Sequence, residues 1–84
     1  MSRKIVNVDY DAKADILYIC LIPGVPSYAD EKEEGVLIRK SMESDEVTGI
    51  TIIDFKERYM DRSLDSIRLP IKVNFKEVSG KVFA

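Results

Sequence analysis

An acidic residue followed two positions later by lysine, at the end of an apolar strand, is a pattern found in many metal-dependent nucleases. Asp54-Phe55-Lys56 has this form and follows the run Ile50-Thr51-Ile52-Ile53. In such a centre the acid holds magnesium and the lysine assists the attacking water. Here the motif is three residues long and no upstream Pro-Asp partner stands out. Asp54 and Lys56 therefore carry only an alternative reading, a small metal-dependent hydrolase or nuclease. Other carboxylates are abundant: Asp9, Asp11 and Asp15, then Asp30, Glu31, Glu33 and Glu34, then Glu43, Asp45 and Glu46. Hard cations take oxygen ligands, so this is suitable chemistry. The spacing is not suitable: Asp11, Lys13 and Asp15 lack the later glycine and glutamate of a calcium loop. Solvated turns account for these groups, and no metal site is expected.

Other catalytic chemistry has little to draw on. The chain has no histidine, which removes histidine-based acid–base catalysis and any histidine partner for a nucleophilic serine. It has one cysteine, Cys20, so no internal disulfide can form and a structural zinc site is not expected. Cys20 lies in the apolar run Ile16-Leu17-Tyr18-Ile19-Cys20-Leu21-Ile22, which predicts a buried, inert thiol. The four glycines are isolated, so no phosphate-cradling loop is present. No catalytic residue and no cofactor are assigned. Lys72, Lys76 and Lys81, with Phe75 among them, could touch single-stranded nucleic acid by charge and stacking. The net charge of −2 argues against it, and a solvated strand face is the expectation.

The elements that would position these residues are mostly strands. Val6, Val8 and Tyr10 alternate with Asn7 and Asp9, the period of a half-buried strand. Asp11 to Asp15 reads as a turn. Ile16 to Ile22 is apolar on both faces and reads as the central strand, ended by Pro23-Gly24-Val25-Pro26. Ser27 to Glu34 is polar, an edge strand or a loop. Val36 to Lys40 is a strand, Ser41 to Val47 an acidic hairpin connection, and Thr48 to Phe55 the next strand. The period then changes. Met60, Leu64 and Ile67 form one helical stripe, predicting a helix over 57–67 with Asp54 and Glu57 at capping-box spacing. After Pro70, the alternation of Ile71, Val73 and Phe75 predicts a last strand to about Val78. The expected fold is α+β: an antiparallel β-meander of four to five strands, one C-terminal helix packed on one face, then a last strand. The 84 residues read as a single domain.

The stretch Tyr10-Asp11-Ala12-Lys13-Ala14-Asp15-Ile16-Leu17-Tyr18-Ile19 resembles the opening of the family catalogued as domain of unknown function 2283. Gly35-Val36-Leu37-Ile38 and Val47-Thr48-Gly49-Ile50-Thr51-Ile52-Ile53 resemble its two later segments. The likeness covers roughly residues 4–58. Two departures are visible: Arg39-Lys40 stands where the family often has aspartates, and Thr48 is an insertion between Val47 and Gly49. The resemblance implies a small β-meander with a helix and no assigned activity. Some members are similar to antitoxins encoded beside small toxin-like nucleases, which implies a protein partner of that kind. In the motif itself, Asp11 and Asp15 suit bonding to nearby backbone N–H groups. Tyr10 and Tyr18 suit stacking across the first strand pair. Tyr10, Asp11, Asp15 and Tyr18 are also the candidates for a binding role.

The function these observations favour is a non-enzymatic protein-interaction module, antitoxin-like in the form the resemblance implies. The unpaired cysteine and the lack of an apolar signal region or an ~18-residue apolar run predict a cytoplasmic protein with no membrane contact. A homodimer or higher oligomer is expected, because strands 16–22 and 50–55 are apolar on both faces and one helix covers little more than half of one. The alternative is that the tail with Val82 and Phe83 folds over the second face.

Overall fold

The computed structural model describes residue 5, residues 7–71 and residues 73–83, without the side chain of Asp65. The expectations for Val6 and Lys72 lie outside the described residues. Alternating and apolar runs form five strands: β1 (Asn7–Asp11), β2 (Ile16–Cys20), β3 (Ser27–Glu33), β4 (Val36–Ser41) and β5 (Val47–Ile53). All pairings are antiparallel, and the spatial order is β1-β2-β5-β4-β3. The sheet is therefore not a meander. β3, β4 and β5 follow one another by hairpins, and β2 lies beside β5, which is a Greek-key arrangement with its long connection first. β5, not the 16–22 strand, is central. Alternation within a strand fixes which residues share a face, but it does not say which strand sits next door.

The long connection, residues 21–26, crosses the end of the sheet above the β4–β5 turn. It is tied there by backbone bonds. Leu21 and Ile22 donate to the Thr48 carbonyl at 2.9 and 3.1 Å, and Met42 donates to that of Pro26 at 3.0 Å. Thr48 is buried at this crossing, with its hydroxyl 2.7 Å from that of Ser27. Ser27 to Glu33 is an edge strand, exposed almost throughout, and its charged side chains blunt the open edge.

The register divides the sheet into two faces. Leu17 pairs with Ile52 and with Tyr10, and Ile19 pairs with Ile50 and with Val8. Val36 and Ile38 continue these two rows on β4. Leu17, Ile19, Val36, Ile38, Ile50 and Ile52 are all buried, so this face is the core.

Two helices cover it. α1 (Phe55–Met60) is shorter than the 57–67 helix expected from the stripe. Asp61 closes α1, Arg62 turns left-handed at φ 64°, and Ser63–Ser66 form a single 3-10 turn. The stripe is broken there: Leu64 is buried, but Met60 is 71% exposed. Arg58 fastens α1 to the sheet, its Nη2 donating to the Glu34 carbonyl at 2.6 Å and its Nε to that of Ile53 at 3.3 Å. Gly35 makes that approach feasible. Its φ is +79°, and a Cβ would stand 3.2 Å from Arg58 Nη2.

The predicted last strand is a helix, α2 (Phe75–Val82). Its N-cap is Asn74, whose side chain accepts from the Glu77 backbone N–H at 3.2 Å. Asn74-Phe75-Lys76-Glu77 has the spacing of a capping box. Val78 is buried on the core. Phe83, just past the helix, stacks on Phe55 with ring centroids 5.7 Å apart and meets Tyr10 edge-on at 5.6 Å. The tail thus folds over the face that already carries α1.

Candidate functional site

The family-like motif is a staple between the first hairpin and α1. Asp11 Oδ1 accepts from the backbone N–H groups of Lys13 and Ala14 at 3.0 and 3.2 Å, which closes the β1–β2 turn. Asp15 ends that turn in the left-handed region at φ 56°, where aspartate is tolerated better than most residues. Its Oδ1 accepts from the Tyr10 hydroxyl at 2.6 Å and from the Lys56 backbone N–H at 2.8 Å. Its carbonyl accepts from the Phe55 N–H at 3.1 Å. The first turn of α1 is therefore capped from 41 residues away. Asp54 stands at the N-cap position but is left-handed at φ 58° and makes no side-chain cap bond, so its capping-box pairing with Glu57 does not form.

The electrostatics follow from this geometry. Burial alone would raise the Asp15 carboxyl. The Tyr10 hydrogen bond, the amides of Lys56 and Glu57 and the Lys56 charge outweigh it and hold the group below the usual carboxylate range. Tyr10 is pushed up to about 12, first by its hydrogen bond to Asp15, then by burial and by the charges of Asp15 and Asp11. A phenol raised in the fold favours the neutral form. Its contribution to stability is complete below its unfolded value of 10.0 and is lost as pH rises through about 12. In an alkaline titration followed by tyrosinate absorbance, we expect a step near pH 12 from Tyr10. Tyr10→Phe should remove that step. A titration curve unchanged near pH 12 in Tyr10→Phe would mean that the bond to Asp15 is absent in solution.

The remaining candidates do not converge. Among the described residues no three His, Cys, Asp or Glu side chains are grouped to hold a metal ion. Asp54 is exposed, and the Lys56 charge acts on Asp15. Tyr10 and Tyr18 do not stack. Tyr10 pairs with Leu17 and Tyr18 with Asp9, which places the two rings on opposite faces of the sheet. Lys76 and Lys81 lie on α2, so the expected row of strand lysines is not formed by these two. Cys20 is half-buried, not buried as its apolar surroundings in sequence suggested. It points to the second face, and its cross-strand partner there is Gly49.

That second face is the largest uncommitted feature of the described molecule. Ile16 lies beside Ile53, and Tyr18 beside Thr51, which lies beside Leu37 on β4. Cys20, Gly49 and Arg39 form the next row. Arg39 lies across Gly49: a Cβ there would be 3.5 Å from Arg39 Cδ and 2.9 Å from the Ile19 carbonyl oxygen. One cationic side chain, Arg39, therefore runs over the central strand at one end of the face, whereas the Tyr18, Thr51 and Leu37 row carries no charge. The other charges stand on the flanks: Asp9 and Asp11 on β1 and Glu31 on β3. Ile16, Cys20, Leu37, Thr51 and Ile53 are half-buried and Tyr18 is 41% exposed. An apolar centre with a charged rim is how protein interfaces are built. Composition pointed to a two-faced sheet, but only the register shows that both helices choose the same side.

The model of the family described as "Protein of unknown function (DUF2283)" matches residues 7–56. The match spans all five strands and ends at Lys56, whose amide Asp15 caps. No curated protein and no solved structure matches the chain.

Proposed function

Because the chain belongs to the family of proteins of unknown function DUF2283, whose description assigns no activity, we propose from the surface that it is a non-enzymatic protein-interaction module, homodimeric through the open face of its sheet. One observation carries the reading: α1, α2 and Phe83 all pack on one face, and nothing in the described chain covers the Ile16, Tyr18, Thr51 and Ile53 side. A two-fold axis through the uncharged Tyr18, Thr51 and Leu37 row suits self-association, because it keeps the two copies of Arg39 apart. The face is about 24 Å across five strands and about 17 Å along five residues, a projected ~400 Å². That is about 800 Å² over both partners, less than the ~1,200 Å² of a standard specific interface, so the dimer should be weak and dissociate on dilution. The partner kind implied by the family likeness, a small toxin-like protein, would then meet a dimer. No helix among the described residues is long and apolar enough to cross a membrane.

Sedimentation over a concentration series tests the dimer, with a mass twice the 9.6 kDa of the chain expected at the upper end. Tyr18→Lys should abolish the association. In the monomer the new ammonium lies opposite Asp9, a favourable cross-strand pair, so the fold is retained. In the dimer it would be a buried charge. A mass of 9.6 kDa at every concentration would overturn the proposal.

A further inference from the structure

On the helical side, away from the open sheet face, a cleft of about 760 Å³ separates α1 and the 3-10 turn from the first half of α2. Its apolar lining comes from Tyr59, Met60, Leu64 and Phe75. Leu64 is buried, whereas Met60 is 71% and Tyr59 45% exposed. Two cations complete the lining, Arg62 and Lys76, and among the described residues no carboxylate does. Neither cation makes an ion pair among the described residues. The acidic residues next to them in sequence are engaged elsewhere: Asp61 accepts from the Ser63 backbone N–H, and Glu77 pairs with Lys81. Ser79, also in the lining, is 4% exposed, and its hydroxyl has no hydrogen-bond partner among the described residues. An orphaned buried hydroxyl is uncommon enough to need an explanation.

We propose that this cleft is a docking groove for a short segment of a partner protein carrying one bulky apolar residue flanked by carboxylates. The apolar residue enters between Met60 and Phe75, where the methionine side chain adapts to its shape. The flanking carboxylates meet Arg62 and Lys76, whose charges no acidic neighbour in the lining offsets. A nucleic acid strand fits less well. Only two cations face the cleft, and the net charge repels a polyanion. The groove lies on the opposite side of the molecule from the dimer face, and the two proposals stand separately.

The probe is a fluorescein-labelled decapeptide in which leucine and phenylalanine alternate with glutamate, titrated with the full chain and read by anisotropy. Saturable binding is expected, with none for the same peptide carrying lysine in place of glutamate. Arg62→Asn, which suits the left-handed backbone at φ 64°, combined with Lys76→Glu should weaken binding by about tenfold or more, two charged contacts being lost. Met60→Gln, at a position 71% exposed, should weaken it independently and serves if the double variant does not fold. Tyr18→Lys should bind as the wild type does. No binding up to millimolar protein, equal binding by the folded groove variants, loss of binding in Tyr18→Lys, or capture of a single-stranded oligonucleotide in place of the peptide would each overturn the groove.

Discussion

Phe55→Ala is expected to remove roughly a third or more of the chain's stability, about 3–5 kcal/mol. Phe55 is the first residue of α1 and is completely buried. Its ring meets Tyr10 at 6.1 Å, Phe75 at 6.5 Å and Phe83 at 5.7 Å. It is thus the common neighbour of β1, of the start of α2 and of the C-terminal end. Truncating a buried phenylalanine costs about 3–5 kcal/mol, because transfer energy is lost and the cavity closes only in part. A domain of this length has roughly 4–12 kcal/mol in total. The loss should fall hardest on α2, whose contact with the sheet runs through these rings. Urea unfolding followed by circular dichroism measures it. A midpoint within experimental error of the wild type would show that the aromatic cluster does not hold the helices.

The second large effect is expected at Asp15. Asp15→Ala removes the acceptor of the Tyr10 hydroxyl and of the Lys56 amide, and places alanine at φ 56°. Loss of a helix cap and of a hydrogen bond to a charged group, discounted for partial exposure, amounts to about 2 kcal/mol. Asp15→Asn keeps an acceptor and tolerates the left-handed backbone, so it should cost less. It should also change the acid limb. The Asp15 carboxyl is held below its ordinary 3.8, so its contribution is complete above that value and is lost as pH falls through the lower folded value. Stability measured from pH 6 downward should therefore decline less steeply in Asp15→Asn than in the wild type. Parallel acid limbs would show that the carboxylate charge does not act in the fold.

The strands were legible in the sequence because each strand carries its own pattern. Val8 and Tyr10 alternate with charged neighbours, and Gly35 and the proline-rich 23–26 segment punctuate their ends. Their order was not legible. Nothing in Ile50-Thr51-Ile52-Ile53 says that it lies between Leu17 and Val36, since that choice is made by long-range pairing. The C-terminal half misled for a local reason. Ile71, Val73 and Phe75 alternate as a strand does, but Asn74 and Glu77 supply a helix start that outweighs the alternation. In the motif, Asp11 acted within its own turn, as short-range reasoning can foresee. The bond from Asp15 to Lys56 could not be read, because it joins residues 41 apart. The open face was half legible: its apolar residues were evident, but which side the helices would take was not.

The position of β5 also has a consequence for the order of events when the chain is made. β1 pairs only with β2, and β3 only with β4, and these two hairpins meet nowhere in the sheet except through β5. The strand that joins them is the last of the five to leave the ribosome. Until Ile53 has emerged, the chain holds two separate hairpins, each marginal in water, with the inner edges of β2 and β4 unpaired. Folding is therefore expected to wait for the completed sheet. A nascent chain stopped before Val47 should be readily degraded, and the short-lived open edges of β2 and β4 are where a holding chaperone would bind.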